Sequence, residues 1–203
     1  MVDTVGVFID YENMHRSGHN LYTEFGVPIH QSVLDPLQVA ERLVSKRSRP
    51  SALSGVWVFR GRPVPAFQPR PASANDVQAA NWSSDSRVRV VRRDLKYESF
   101  DDGSFLAREK GIDVALAIGL VERALDRDFD AAIVFTGDTD LLPALELVFH
   151  RRLLNLEIAA WTGQKPLWFP EFLSAEPPRR LPYCHFLSRD DFERCRDYSA
   201  ASG

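Results

Sequence analysis

Short apolar runs recur along the chain, and each is followed by a polar or helix-like segment. A run of four to eight apolar residues bounded by turn residues is typical of a buried strand. Such strands are predicted at residues 5–9, 56–59, 88–91, 133–135 and 156–160. Because strands that alternate with helices favour parallel pairing, the pattern predicts an α/β fold with a mainly parallel central sheet.

Apolar residues at helical spacing predict helices between these strands. Asp35 followed by Pro36 is typical of a helix start, because aspartate caps the first turn and proline fits its first position. Helices are expected at residues 35–44, 73–84, 112–125 and 141–149, with a short helix or a loop over 13–24. A loop is predicted at 60–71, a polar connection at 97–103, and tail helices near 169–173 and 189–196.

The length of 203 residues and the 44% hydrophobic content indicate one globular domain of ordinary size. We expect that domain over residues 1–165, with residues 166–203 as a C-terminal extension packed on it. No run approaches the roughly 18 apolar residues of a membrane span, and the first ten residues lack the pattern of a signal peptide. We therefore expect a soluble, cytoplasmic protein with no membrane association.

Charge is distributed unevenly, although the formal net charge is only -3. Residues 42–96 contain twelve Lys or Arg and three acids, whereas the rest of the chain is acidic. A basic segment of this kind is typical of a surface that binds phosphates, and it also occurs as an ordinary solvated face with salt bridges. Cys184 and Cys195 lie outside any zinc-binding spacing and are expected to be reduced thiols.

Acidic residues stand where the predicted strands end. Asp10 closes the first strand, and Asp138 and Asp140 follow the fourth. Because ligands of parallel sheets bind at the carboxyl ends of strands, these acids are expected to lie at one edge of the sheet. Asp113, near the start of the long helix, can reach the same edge. Each acid also has a purely structural explanation, as a helix cap, a turn residue or a first-turn charge.

A cluster of carboxylates requires protons or a cation. Two unit charges about 4 Å apart repel by roughly 4 kcal/mol at an effective dielectric near 20. Oxygen ligands without His or Cys suit Mg²⁺ or Mn²⁺, and Mg²⁺ binds through one or two carboxylates together with substrate phosphate. Such a metal site is the chemistry of phosphodiester hydrolysis.

Three segments carry a resemblance to a known family: VFIDYENMH from residue 7, EKGIDVALA from residue 109 and IVFTGDTDLLPALELV from residue 133. In this order they resemble the signature blocks of the NYN domain family, which belongs to the PIN-like nuclease superfamily. The resemblance implies a Rossmann-like, three-layer α/β/α sandwich. It also implies a metal-dependent endoribonuclease with a Mg²⁺ or Mn²⁺ cofactor.

The resemblance assigns roles to individual residues. Asp10, Asp113, Asp138 and Asp140 match its metal-binding positions, with Asp10 and Asp138 as direct ligands. Asn13 and Thr136 complete the expected catalytic set by orienting carboxylates or the attacking water. RNA, expected to be single-stranded, would contact the basic residues Lys110, Arg60, Arg62, Arg89 and Arg92, with Trp82 or Tyr97 as stacking surfaces.

The chain departs from the family pattern at Gly119, where many relatives carry a further aspartate. The alternative function is therefore a catalytically weakened module that binds RNA or regulates. A small-molecule phosphatase fits less well, because the residues after the first strand lack its paired aspartates. His15 and His19 are expected to be solvated. A homodimer or a protein regulator is compatible with the resemblance.

Overall fold

The computed structural model describes residues 1–169 and 181–197. Its strands are β1 (Asp3–Asp10), β2 (Ser51–Arg62), β3 (Val88–Asp94), β4 (Lys96–Ser99), β5 (Phe105–Arg108), β6 (Ala131–Phe135), β7 (Asn155–Trp161) and β8 (Tyr183–Leu187). Its helices are α1 (Tyr11–Tyr22), α2 (Pro36–Ser45), α3 (Pro69–Trp82), α4 (Ile112–Asp126), α5 (Leu142–His150) and α6 (Arg189–Arg194). Short 3₁₀ turns occur at Ile29–Ser32 and Thr139–Leu141.

The central sheet has six parallel strands in the order β3-β2-β1-β6-β7-β8. The chain builds the sheet from β1 towards β3, and then returns to place β6, β7 and β8 on the other side of β1. The order therefore reverses between β1 and β6, and the crevice at such a reversal is where open α/β sheets bind ligands. The register pairs Ile9 with Phe135, so the residues after these two strands are neighbours.

Both faces of the sheet are buried, which explains why its strands are continuous apolar runs. On one face, Val7 and Ile9 pack with residues of α1, α2 and α6. On the other face, Phe8 packs with residues of α4 and α5. The structure therefore confirms the three-layer α/β/α sandwich. No helix in the part of the chain that the structure describes has the length and apolarity needed to cross a bilayer.

The five predicted strands are present as β1, β2, β3, β6 and β7, and helix α2 begins after the Asp35 cap as expected. The segment after β1, for which the sequence allowed either a short helix or a loop, forms the helix α1. The loop expected at 60–71 is shorter, because β2 continues to Arg62 and α3 begins at Pro69. The expected tail helix near 169–173 lies outside the described residues, except for its first residue.

One prediction about the sequence between the strands was wrong, and one strand near the C-terminus was not predicted. The expected polar connection at 97–103 is part of an antiparallel hairpin formed by β4 and β5. This hairpin is largely exposed, so no continuous apolar run identifies it. The C-terminal segment supplies the edge strand β8, whose buried positions are only His185 and Leu187. An edge strand with this alternation lacks the apolar run that identifies the central strands.

Candidate active site

An open cleft of about 810 Å³ lies at the reversal of strand order, above the carboxyl end of β1. Its walls come from the ends of β1 and β2, the start of α1, one side of α3 and the strand β5. Five carboxylates line it: Asp10, Glu12, Glu109, Asp113 and Asp138. We call these five residues the acid cluster and the cleft that they line the acidic cleft. The cleft thus brings together three of the four predicted metal ligands. The fourth, Asp140, is exposed and does not line the cleft.

Asp10 is the most buried of the predicted ligands, at 5% exposure. It caps α1 by accepting a hydrogen bond from the Asn13 amide at 3.3 Å, and it accepts another from Oγ1 of Thr136 at 2.9 Å. Burial, with a smaller contribution from the negative charges of Asp113 and Glu109, raises the pKa of Asp10 to about 7 in spite of the lowering effect of these two hydrogen bonds. The surroundings of Asp10 therefore compensate the negative charge of its carboxylate only in part.

Backbone and side-chain hydrogen bonds shape the turn after β6. Oγ1 of Thr136 accepts from the Asp138 amide at 3.0 Å while it donates to Asp10. The Gly137 amide donates to Oδ1 of Asn13 at 2.8 Å, which ties this turn to the start of α1. Asp138 in turn accepts from the Asp140 amide at 2.9 Å. Asp10 and Asp138 are therefore capping residues and members of the acid cluster at the same time.

The start of α4 supplies the opposite wall of the acid cluster. Gly111 has a φ of 78°, a left-handed conformation that favours glycine, and it precedes the helix that carries Asp113 in its first turn. Burial raises the pKa of Asp113, and the charges of Asp138 and Asp140 add to this effect. The acids at the ends of β1 and β6 and at the start of α4 therefore lie within electrostatic range of one another.

Glu109 is a site residue that no sequence pattern identified. Its Oε1 accepts from the Gly61 amide at 2.5 Å, and burial raises the pKa of its carboxyl group. It lies in the same segment as Lys110 and Asp113, and its position beside them was the only available signal. The hydrogen bond fixes the carboxylate against the end of β2, on the side of the cleft that faces Asp10.

The acid cluster fits a hard divalent cation by its donor chemistry. Its potential donor atoms are carboxylate oxygens, and burial, with the charges of neighbouring acids, raises the pKa values of Asp10, Asp113 and Glu109 and so disfavours their ionised forms. Over residues 1–169 and 181–197, no three His, Cys, Asp or Glu side chains are arranged so that they could hold a metal ion by themselves. Mg²⁺ does not require three protein ligands, because it binds through one or two carboxylates while waters and substrate phosphate complete its shell.

Arg60 is a predicted RNA contact that the structure places deep in the cleft wall. It is 8% exposed, and its guanidinium lies 4.7 Å from the ring centroid of Tyr11 and 5.2 Å from that of Trp82. Its Nη1 donates to Gln78 at 2.8 Å. Arg60 thus lines the cleft as a cation whose guanidinium is fixed by contacts with neighbouring side chains, rather than as a mobile surface residue.

Arg62 and Arg92 are less available for contact with RNA than their positions in the sequence suggested, because both are paired with an acid. Both form ion pairs with Asp76, Arg62 at 2.8 Å and Arg92 at 2.5 Å, because α3 places this aspartate over the neighbouring strands β2 and β3. Arg92 also helps to line a second cleft, of about 610 Å³, with Lys110. Arg93 and Lys96 also line this second cleft, which we call the basic cleft, together with the acidic residue Asp94.

Arg89, the remaining predicted RNA contact, is exposed on β3, with its guanidinium 5.9 Å from the ring centroid of Trp57. The structure thus places Lys110 and Arg92 together in the basic cleft and Arg60 in the acidic one. It does not bring all five basic residues into one surface.

Two other expectations were wrong because α1 and α3 turn the residues concerned towards the protein. His15 was expected to be solvated, but it is buried, and its Nε2 lies within hydrogen-bonding distance of Oγ of Ser32, at 3.2 Å. Burial lowers the pKa of His15 to about 4. His19 is half-buried and also hydrogen-bonded to Ser32. Trp82 is 5% exposed and donates through Nε1 to Asp197 at 3.2 Å, so it offers no face to a base.

Gly119 has a packing explanation. A Cβ added to this residue would lie 3.3 Å from Cζ of Phe59, a buried residue of β2. A side chain at this position of α4 would therefore point at the hydrophobic core between the helix and the sheet.

Comparisons with known proteins agree with the fold. No curated protein matches the chain. A crystal structure of a protein of unknown function, VPA0982 from Vibrio parahaemolyticus RIMD 2210633, is similar at a TM-score of 0.54 and 15% identity, over 94% of this chain and 95% of that one. The family model described as the NYN domain matches residues 4–171, which include all three segments that carry the acids. The chain belongs to the NYN domain family.

Proposed function

We propose that the protein is an endoribonuclease that hydrolyses RNA phosphodiester bonds with Mg²⁺ or Mn²⁺ at the acid cluster. The NYN domain is a nuclease-type domain of the PIN-like group, which supports a hydrolase acting on nucleic acid. One observation carries the proposal: acids from β1, β6 and α4 converge at the reversal of strand order, and burial raises the pKa of Asp10 to about 7. A bound cation would supply the missing compensation.

Each acid has a distinct position in the proposed reaction. Asp10 and Asp138 would hold the cation directly, and Asp113 and Asp140 would hold it directly or through water. Thr136 donates to the Asp10 carboxylate and accepts from the backbone amide of Asp138, and Asn13 accepts from the Gly137 amide, so both residues fix the turn that carries Asp138 beside Asp10. When bound, the cation would stabilise charge on the phosphoryl oxygens and lower the pKa of the attacking water.

The basic residues provide attraction for the RNA backbone. Arg60 presents a positive charge in the wall of the acidic cleft, where it would offset repulsion between the carboxylates and a phosphate. Lys110 and Arg92 line the neighbouring basic cleft, and Lys110 directly follows the acidic-cleft residue Glu109. A single strand that lies across both clefts would therefore meet cations on either side of the proposed metal site.

The test is cleavage of an end-labelled, mixed-sequence single-stranded RNA by the purified full chain, in Mn²⁺ and in EDTA. We expect cleavage only with the metal, and a loss of about 10²–10³ in rate for Asp138→Asn, the scale for removing one stabilising group. Asp126→Asn is the matched control, because Asp126 lies at the far end of α4 from Asp113. RNA binding with no turnover under either condition would contradict the proposal and support the binding module.

A further inference from the structure

Three aromatic rings form a cluster beside the acidic cleft, on the hairpin and on the loop after β2. The ring of Phe67 stacks on that of Tyr97 with centroids 4.1 Å apart and planes inclined by 6°. Phe105 packs edge-on against both, at 5.7 Å from Phe67 and 5.4 Å from Tyr97. We call these three residues the aromatic cluster.

The aromatic cluster is held rigidly for a group on an exposed hairpin. The Tyr97 hydroxyl donates to Oε1 of Gln68 at 2.8 Å and accepts from the Val64 amide at 3.0 Å. These bonds tie the hairpin to the loop that carries Phe67. A surface of fixed orientation results, and a fixed surface loses little conformational entropy when a ligand binds to it.

The aromatic cluster continues the acidic cleft outwards. Tyr97 is the cross-strand partner of Ala107, so the two side chains share one face of the hairpin, and Phe105 lies on that face two residues before Ala107. Ala107 lines the acidic cleft, and so does Gln68, which binds Tyr97. A chain that leaves the acid cluster along this wall would therefore pass over the aromatic rings.

Exposure and charge identify the kind of ligand. Phe67 and Phe105 are 42% and 40% exposed, although Tyr97 covers one face of Phe67. Cations lie on the opposite face of the same hairpin, where Lys96 and Arg108 are cross-strand partners. Arg108 lines the acidic cleft and Lys96 lines the basic cleft. Open aromatic faces next to clefts that carry cations match unpaired nucleotides, whose bases stack while their phosphates meet Lys and Arg.

We propose that the aromatic cluster is a base-stacking subsite, with Phe67 as its principal ring, that binds unpaired bases of a single-stranded RNA next to the acid cluster. This inference rests on the proposed ribonuclease function. It adds a preference for single strands, because bases within a duplex cannot stack on a protein ring. It also accounts for aromatic residues that remain half-exposed at the edge of a cleft.

The test measures RNA binding separately from cleavage. The full chain with Asp138→Asn is titrated against a fluorescent ten-nucleotide single strand, the same strand in a duplex, and the strand with abasic sites, using fluorescence anisotropy. Phe67→Ala should weaken single-strand binding by about 5- to 100-fold, the range for losing one stacked base. Phe67→Trp should retain the affinity, whereas Phe67→Leu, which keeps an apolar side chain, should not.

Controls separate stacking from general effects on the protein. Phe186→Ala removes an equally exposed ring from β8, at the opposite edge of the sheet, and should change nothing. Phe67→Ala should not alter binding of the duplex or the abasic strand, and it should abolish quenching of a 2-aminopurine base in the single strand.

The outcomes distinguish this inference from the function on which it rests. Unchanged single-strand affinity and unchanged 2-aminopurine quenching in Phe67→Ala would overturn the subsite, and the rings would then be assigned to contact with another protein. The same result with metal-dependent cleavage intact would leave the ribonuclease proposal standing. Absence of cleavage by the unaltered chain, with stacking confirmed, would overturn only the ribonuclease proposal.

Discussion

Substituting Asp10 by asparagine should stabilise the metal-free protein at neutral and alkaline pH. The change removes a buried negative charge and keeps an N-cap, since asparagine caps helices as well as aspartate does. Burial raises the pKa of Asp10 from 3.8 to about 7. At 1.36 kcal/mol per pH unit, this difference corresponds to about 4 kcal/mol of unfavourable free energy once Asp10 is ionised in the folded state.

The sign follows from proton binding. Between about pH 4 and pH 7 the folded state holds a proton on Asp10 that the unfolded state has released, so the free energy of unfolding falls as pH rises. His15 acts in the opposite direction, because burial lowers its pKa to about 4, and its contribution rises with pH up to its unfolded value near 6.5. The effect of Asp10 is therefore measured as a difference between proteins rather than from one curve.

The assay is urea unfolding of the unaltered chain and of Asp10→Asn, in EDTA, at pH 4.5 and pH 8. We expect the stability advantage of Asp10→Asn to be larger at pH 8 than at pH 4.5, by about 3 kcal/mol, because the unfolded carboxyl group is already partly ionised at pH 4.5. Asp35→Asn makes the same chemical change at the N-cap of α2, outside the acid cluster, and should show no such pH-dependent gain. An equal effect of Asp10→Asn at both pH values would refute the reasoning.

Three further substitutions test individual contacts. Thr136→Val removes the hydroxyl that serves both strand-end aspartates, and should lower the free energy of unfolding by about 1–3 kcal/mol in urea titrations. Gly119→Asp should destabilise the protein by about 1–3 kcal/mol, since its carboxylate would meet Phe59, and should not increase cleavage; a gain in cleavage would show that the position faces the metal. Glu157→Gln removes the nearer carboxylate partner of the buried Arg47 side chain, at 2.8 Å, and leaves Asp3 at 3.3 Å; it should lower the free energy of unfolding by about 1–3 kcal/mol while the cleavage rate of folded protein is kept.

The fold and the principal acids were predictable because their signals are local. Parallel strands buried on both faces must be apolar throughout, so they stand out in the sequence. A residue that directly follows such a strand, as Asp10 does, then has a known position at the carboxyl edge of the sheet. That one rule placed residues more than a hundred positions apart in one cleft. The three family segments added Asp113, which the strand pattern alone could not place.

The remaining features depend on contacts between distant residues. The β4–β5 hairpin is short and exposed, so its stability comes from packing against the loop after β2, which no local pattern records. The availability of Arg62 and Arg92 depends on Asp76, which α3 carries to them across the sheet. The burial of His15 depends on which side of α1 meets the core. In each case the partner is decided by the tertiary structure.

The proposed function requires that the acid cluster bind a divalent cation, and this binding is measured with Mn²⁺. Electron paramagnetic resonance of free Mn²⁺, titrated with the full chain at pH 8, gives the dissociation constant without any need for substrate. We expect binding by the unaltered chain and by Asp126→Asn, and a loss of about tenfold or more in Asp10→Asn and Asp113→Asn, since even indirect contacts to a metal are worth that much. Equal Mn²⁺ affinity in all four proteins, or no binding by any of them, would contradict this proposal.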